Sequence, residues 1–262
     1  MALTKEQVEQ VSSELIEAER TCAPVVALTD RFGDVSYQDA YAIQLKTFDT
    51  RVRNGEVIVG KKIGLTSRAM QEQFKIREPD YGIITNTMVA REGAPALMSN
   101  LILPRVEAEI AFLLKEDLKG PGVNVTHVLE ATEGVLPAFE VIDSRYKDWK
   151  ITVKDSISDN ASAAIMILGG KLTPIENLDL RYIGLVLEKD GAVVSTGAGA
   201  AVLGNPAESV AWLANKLTEY GITLKKGEFV MSGSLISAVK AEAGSQFRAT
   251  FDRIGSVSLR FE

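Results

Sequence analysis

Three glutamates stand where a carboxylate is costly. Glu107 and Glu109 lie in Arg105-Val-Glu-Ala-Glu-Ile-Ala111, and Glu140 lies in the apolar run Val135-Leu-Pro-Ala-Phe-Glu-Val-Ile142. Successive side chains of a strand point to opposite faces. Arg105, Glu107 and Glu109 then share one face, and Val106, Ala108, Ile110 and Phe112 share the other. Two glutamates at this spacing sit about 7 Å apart along a strand and repel each other. A shared cation would relieve that cost; so would a solvent-facing polar surface with Arg105 offsetting the charge. A lone Glu140 in a strand buried on both faces needs a partner, either a metal or a cation such as Arg105 or Arg145. Three carboxylates and water would make a hard oxygen site suited to magnesium or manganese, with positions open for a chelating substrate. The chain has one histidine, His127, and one cysteine, Cys22. A metal site here must therefore be built from oxygen ligands.

Other groups could act beside such a site. In Gly60-Lys-Lys-Ile-Gly-Leu-Thr66 the adjacent lysines point to opposite strand faces, so one can be solvated while the other enters a pocket. The glycines do not follow the GxxxxGK[ST] order of a phosphate loop. Glu78-Pro-Asp-Tyr-Gly82 reads as a turn, in which Asp80 either stabilises the turn or serves as a general base. Asp159-Asn-Ala-Ser162 and Met231-Ser-Gly-Ser234 offer hydroxyls and backbone N–H groups to a substrate carboxylate, or are plain loops. Gly197-Ala-Gly-Ala-Ala-Val-Leu-Gly204 demands close backbone packing. His127 opens a helix, Cys22 ends one, Trp149 and Trp212 read as packing residues, and no Ser-His-Asp arrangement occurs.

The elements that must position these groups fall into two textures. Thr4-Lys-Glu-Gln7 fits a capping box, and Val8, Val11, Leu15 and Ile16 follow at helical spacing to about Thr21. A second helix starts after Ser36 and ends near Gly55. From Val57 the chain is strand-rich: Val57 to Gly64, Leu101 to Leu114, Val135 to Ile142, and short strands from Ile165 onward. A short polar helix spans about Arg68 to Phe74, and Asn205-Pro-Ala-Glu208 starts another. Strands and helices do not alternate, so a doubly wound sheet is disfavoured. The expected fold is α+β: a helical segment at 1–56 and a β-rich catalytic domain at 57–262, a mixed β-sandwich or roll.

Composition narrows the partners. Against 29 basic residues stand 35 acidic ones, with no Lys/Arg run, which argues against nucleic acid. The N-terminus carries no signal-peptide pattern, and no apolar run reaches the ~18 residues of a membrane span, so no membrane and a cytoplasmic location are expected.

Taken together these segments resemble the 2-oxopent-4-enoate (2-hydroxypenta-2,4-dienoate) hydratases and 4-oxalocrotonate decarboxylases of the fumarylacetoacetate hydrolase superfamily. The resemblance rests on Gly60-Lys-Lys-Ile-Gly-Leu-Thr-Ser67, Glu78-Pro-Asp-Tyr-Gly82, Pro104-Arg-Val-Glu-Ala-Glu-Ile110, Pro137 to Arg145, Asp159-Asn-Ala-Ser162 and Thr196 to Gly204. It implies a magnesium (or manganese) site on Glu107, Glu109 and Glu140, and catalytic roles for Lys62 and Asp80. It also implies substrate contacts at Leu65, Ser162, Ser232, Gly233 and Ser234. The implied substrate is a small 2-oxo or 2-hydroxy-dienoic acid of aromatic meta-cleavage degradation. The dienol would be protonated at C5 and water added at C4. The implied assembly is a pentamer-based homo-oligomer, able to pair with its partner decarboxylase or hydratase. Gly-Lys-Lys-Ile-Gly, Glu-Pro-Asp-Tyr-Gly and Pro-Arg-Val-Glu match the hydratase pattern; the decarboxylase of 2-oxohex-3-enedioate is the rival. A metal-free binding or scaffold protein on the same fold is the non-enzymatic alternative.

Overall fold

A computed structural model describes residues 2–262, apart from the side chains of Met70, Gln73 and Phe74. Helices α1 (Lys5–Thr21), α2 (Leu28–Phe32) and α3 (Tyr37–Arg53) come first. Reciprocal capping boxes start two of them: Thr4 with Gln7 at α1, and Ser36 with Asp39 at α3. Val11 and Leu15 of α1 bury their apolar stripe with Ile43 of α3.

Strand β1 (Ile58–Gly64), helix α4 (Arg68–Phe74) and strands β2 (Asp80–Thr85), β3 (Val89–Ala90), β4 (Pro95–Ala96) and β5 (Arg105–Leu114) follow. Helix α5 (Val125–Ala131), strand β6 (Thr132–Ile142), helix α6 (Val153–Ser158) and strands β7 (Ala163–Leu168), β8 (Gly184–Lys189) and β9 (Ala192–Ala198) come next. Helix α7 (Pro206–Leu217) and strands β10 (Phe229–Ser234), β11 (Val239–Lys240), β12 (Gln246–Phe251) and β13 (Gly255–Phe261) complete the chain. No helix among the described residues is long and apolar enough to cross a membrane.

The strands form two sheets. The larger runs β2-β1-β10-β5-β6-β7-β3, with β11 paired to β5; the smaller runs β4-β13-β12-β8-β9. Pairing is mixed: β1 runs parallel to β10, and β5 antiparallel to both β10 and β6. The sheets meet through β6 and strands β12 and β13. Val106, Ile110 and Phe112 of β5 and Val135 and Phe139 of β6 share this core with Leu187, Phe247, Val257 and Leu259. The alternation expected of β5 is therefore present. Its other face carries Ala111, which with Ala138, Met166 and Met231 packs beneath Phe48 of α3. The glutamates lie on that second face, further along the same strands.

Among the boundaries that differ from the sequence reading, two bear on the site, and β6 also starts earlier, at Thr132 rather than Val135. β5 begins at Arg105 rather than Leu101. Before it, the Ile102 and Leu103 amides donate to the Asp143 carboxylate at 2.7 Å each, which holds the chain off the sheet. Glu78-Pro-Asp-Tyr-Gly82 is not one turn, because Asp80 is already the first residue of β2 and pairs with Gly64. Burial of Asp80 and Tyr81 against β1 overrides the turn composition of this segment.

Candidate metal centre and active site

The register of β5 and β6 places Glu107 directly opposite Glu140, and Glu109 opposite Ala138. Facing positions of an antiparallel pair put their side chains on one face within contact. Each of the three glutamates offers an oxygen within 4.8 Å of the others. Glu109 and Glu140 are fully buried, while Glu107 is partly open to a cavity. The Gly233 N–H donates to Glu109 Oε2 at 2.8 Å. That contact depends on an irregularity of β10 between Met231 and Ser234 and on a φ of 105° at Gly233. A Cβ there would stand 2.4 Å from Thr66 Oγ1, so only glycine fits. Glu109 Oε1 and Glu140 Oε2 accept no hydrogen bond. Buried acceptors without donors are rare and call for an explanation. A divalent cation fits these oxygen donors.

Lys62 is the counter-charge. Its Nζ lies 3.1 Å from Glu140 Oε1 and donates to the Ala161 carbonyl at 2.9 Å. The ion pair of Glu140 is thus with Lys62, not with Arg105 or Arg145. Arg145 is occupied elsewhere, by Asp159 and by the Asp143 and Ala163 carbonyls. The neighbouring Lys61 points away and pairs with Glu228 at 2.7 Å. The Ala161 carbonyl is aimed by an unusual backbone. Asn160, Ala161 and Ser162 have φ of 57°, 49° and 55°. Left-handed geometry costs about 1–2 kcal/mol per non-glycine residue. The Asn160 amide offsets it by pairing with both Ile83 N–H (2.8 Å) and Ile83 C=O (2.9 Å).

Asp80 is buried on the same face. Its Oδ2 accepts from Ser156 of α6 at 3.0 Å. Two glycines make room for it and for Lys62: a Cβ at Gly64 would stand 2.2 Å from Asp80 Oδ1, and one at Gly82 would stand 2.7 Å from the Asn160 carbonyl and 3.0 Å from the Lys62 stem.

The electrostatics follow from four carboxyls crowded around one ammonium. Burial, then the charge of Glu140, pushes Glu107 up to about 7. Burial and the same neighbours hold Glu109 well above the carboxylate range. Glu140 and Asp80 are raised by burial, against the pull of Lys62. For Lys62 burial acts against the charged form, but Glu140 and the other acids outweigh it and hold it above its ordinary value. The excess of negative charge is what a divalent cation would neutralise.

The cluster opens onto one cavity of about 730 Å³ through Glu107, with Glu109 and Glu140 buried behind it. Lys62, Asp80, Glu107, Leu65, Ser162 and Ser234 all line it. Ser232 does not: its side chain is buried beneath the wall, and its carbonyl accepts from Ser209. Gly233 acts through its backbone on Glu109. Of the wall residues that the sequence reading missed, three bear on the groups already named. Ser156 reaches Asp80 from a helix distant in sequence. Trp149, taken there as packing, lines the cavity with its Nε1 donating to the Leu103 carbonyl at 2.9 Å. Arg105, taken as a charge offset, stacks on that indole at 4.6 Å. The same-face position of Arg105 was the one signal available in advance.

The chain belongs to the fumarylacetoacetate (FAA) hydrolase family, whose C-terminal domain profile matches residues 52–262. Within it, the chain is 42% identical over 259 residues to the 2-hydroxyhexa-2,4-dienoate hydratase of Comamonas testosteroni, with 98% of each chain covered. It is 46% identical over 221 residues to the 2-hydroxypent-2,4-dienoate hydratase of Pseudomonas putida, covering 84% of this chain and 100% of that one. The solved 4-oxalocrotonate decarboxylase from Pseudomonas putida G7, complexed with magnesium and adipate, matches with a TM-score of 0.97 at 39% identity and 99% coverage of both chains.

Proposed function

We propose that this chain is a divalent-metal-dependent hydro-lyase that adds water to 2-hydroxypenta-2,4-dienoate, giving 4-hydroxy-2-oxopentanoate in aromatic meta-cleavage degradation. One observation carries the reading: a trio of glutamates stands behind a single cavity whose wall carries Glu107, the Lys62 ammonium and the buried acid Asp80. The names of full-length relatives support hydration as the reaction. Glu107, Glu109 and Glu140 would hold magnesium or manganese. When bound, that ion would supply Lewis acidity toward the carboxylate and 2-oxygen of the substrate.

The chain's own groups do the rest. The Lys62 ammonium, fixed by Glu140 and Ala161, stabilises negative charge at the oxo-acid end. Protonation of the dienol at C5, with loss of the 2-hydroxyl proton to solvent, leaves an enone. Water then adds its oxygen at C4, and C3 takes a proton. Asp80, raised by burial and held by Ser156, exchanges the proton of the attacking water. Leu65, Ser162 and Ser234 shape the wall that orients the chain of the substrate. A cytoplasmic, pentamer-based homo-oligomer, able to join a partner lyase, belongs to the same proposal.

Decarboxylation is the second reading, favoured by the near-identical fold of the decarboxylase structure. Supplying purified protein and magnesium with the dienoate and, separately, with 2-oxohex-3-enedioate tests the choice. Faster consumption of the dienoate is expected. Carbon dioxide release from the diacid with the dienoate untouched would reverse the assignment.

A further inference from the structure

Gln44 is an amide buried where an apolar side chain would pack. It lies in α3, is fully buried, and its Oε1 accepts no hydrogen bond. A buried polar atom without a partner costs stability and calls for an explanation. The other end of the amide supplies one. Gln44 Nε2 donates to the Tyr81 carbonyl of β2 at 2.8 Å and to the Ile157 carbonyl of α6 at 3.2 Å. Tyr81 follows Asp80 in the chain, and Ile157 follows Ser156. One side chain thus ties together the two elements whose preceding residues make the 3.0 Å hydrogen bond from Ser156 to Asp80.

Both elements need such a tie. β2 is an edge strand of the larger sheet, and α6 is a helix of six residues. The last carbonyls of a helix lack partners within it, and that of Ile157 falls among them. The N-terminal helices grip the same pieces at two further points. Thr29 of α2 donates its N–H and its hydroxyl to Asp155 at 2.9 and 2.8 Å, and the Tyr41 ring of α3 stacks on Tyr81 with centroids 4.8 Å apart. Gln44 itself does not line the cavity, so any effect on the chemistry runs through Asp80 and Ser156. It also precedes the span 52–262 that the family profile matches, so this tie lies outside the domain the family shares.

We infer that Gln44 is a positioning residue: by joining the Tyr81 and Ile157 carbonyls it fixes Ser156 against Asp80, and so the direction in which the Asp80 carboxyl meets the attacking water. The inference rests on the reading of Asp80 as the acid–base group. Its test is steady-state hydration of 2-hydroxypenta-2,4-dienoate with magnesium, for Gln44→Met in the wild-type and Asp80→Asn backgrounds. Methionine keeps the size of the side chain and removes both donors. In the wild-type background kcat is expected to fall about 10- to 100-fold, the scale of a small misplacement of a reacting group, with KM and the calorimetric magnesium affinity held within about twofold. In Asp80→Asn the same change should cost less than about twofold, because the group it positions is already gone. Thr47→Val is the control for damage to α3: it removes the hydroxyl that donates to Ser12 at 3.0 Å and should leave kcat unchanged. If Gln44→Met does not fold, Gln44→Asn replaces it; its amide is one methylene too short to span both carbonyls, and the same loss of kcat is expected. An unchanged kcat in the folded variant overturns the inference. An equal loss in the Asp80→Asn background, a parallel loss of magnesium affinity, an equal loss in Thr47→Val, or failure of both Gln44 variants to fold also overturns it, since each makes Gln44 a packing residue. Full hydration by Asp80→Asn overturns the reading of Asp80, and the inference with it. A wild type that leaves the dienoate unhydrated overturns the proposed function and the inference together.

Discussion

At the scale of single residues, the decisive feature is a separation of tasks among buried acids. Glu109 Oε1 and Glu140 Oε2 have no donor and Glu140 Oε1 has only the Lys62 ammonium, whereas Asp80 Oδ2 accepts from Ser156 and Asp80 Oδ1 lies beside Gly64. In the proposed mechanism the glutamates hold the cation and Asp80 exchanges the proton. Asp80→Asn should lower kcat for hydration by about 100-fold or more, the usual contribution of a general acid-base group, with magnesium affinity unchanged by calorimetry. Hydration that survives this change would remove Asp80 from the mechanism. Glu109→Gln should have the opposite profile. It relieves like-charge crowding and keeps an acceptor for the Gly233 N–H. Its melting temperature without metal should match or exceed wild type, while the rise on adding magnesium disappears. A retained magnesium shift would exclude Glu109 as a ligand.

At the scale of elements, the site is a product of strand register and of glycines that let strands approach. Glu107 meets Glu140 only because β5 and β6 pair in one register; a one-residue slip would send both to the opposite face. Gly82 of β2 leaves space for the Asn160 carbonyl and the Lys62 stem. Gly82→Ala should destabilise the protein by about 1–3 kcal/mol in denaturant unfolding, as overpacking does, because the contacted atom is backbone. An unchanged midpoint would mean that the left-handed 160–162 segment yields freely. Much of this was readable in advance. The alternation of β5 and the anomaly of Glu140 in an apolar run are local patterns, and both point to the cage. Asp80 was misplaced in a turn because its burial comes from β1, which composition cannot show. Trp149 and Ser156 reach the cavity through long-range packing, and the left-handed Asn160-Ala161-Ser162 backbone leaves no trace in residue type.

At the scale of the whole molecule, the site strains the fold unless charge is neutralised. Glu107 is pushed from an ordinary 4.5 up to about 7, chiefly by burial and then by Glu140. Between those values the folded state binds more protons than the unfolded one, so stability falls as pH rises through that window. The metal-free protein should therefore melt at a higher temperature near pH 5.5 than near pH 7.5. Magnesium, by favouring the ionised glutamates, should reduce or reverse that difference. Melting curves in EDTA that rise with pH across this range would contradict the crowding of these acids. The helices of the first 56 residues bear on the same site, since Phe48 of α3 packs on the sheet face that continues into it.

The central claim is the addition of water to a dienoate at this cage. Its most direct test is proton NMR of 2-hydroxypenta-2,4-dienoate incubated with the purified protein and magnesium. The account predicts 4-hydroxy-2-oxopentanoate, with a methyl group coupled to a hydroxyl-bearing C4, and loss of the product signal in EDTA. A substrate that persists unchanged, or that stops at the ketonised enone without a C4 hydroxyl, would contradict it.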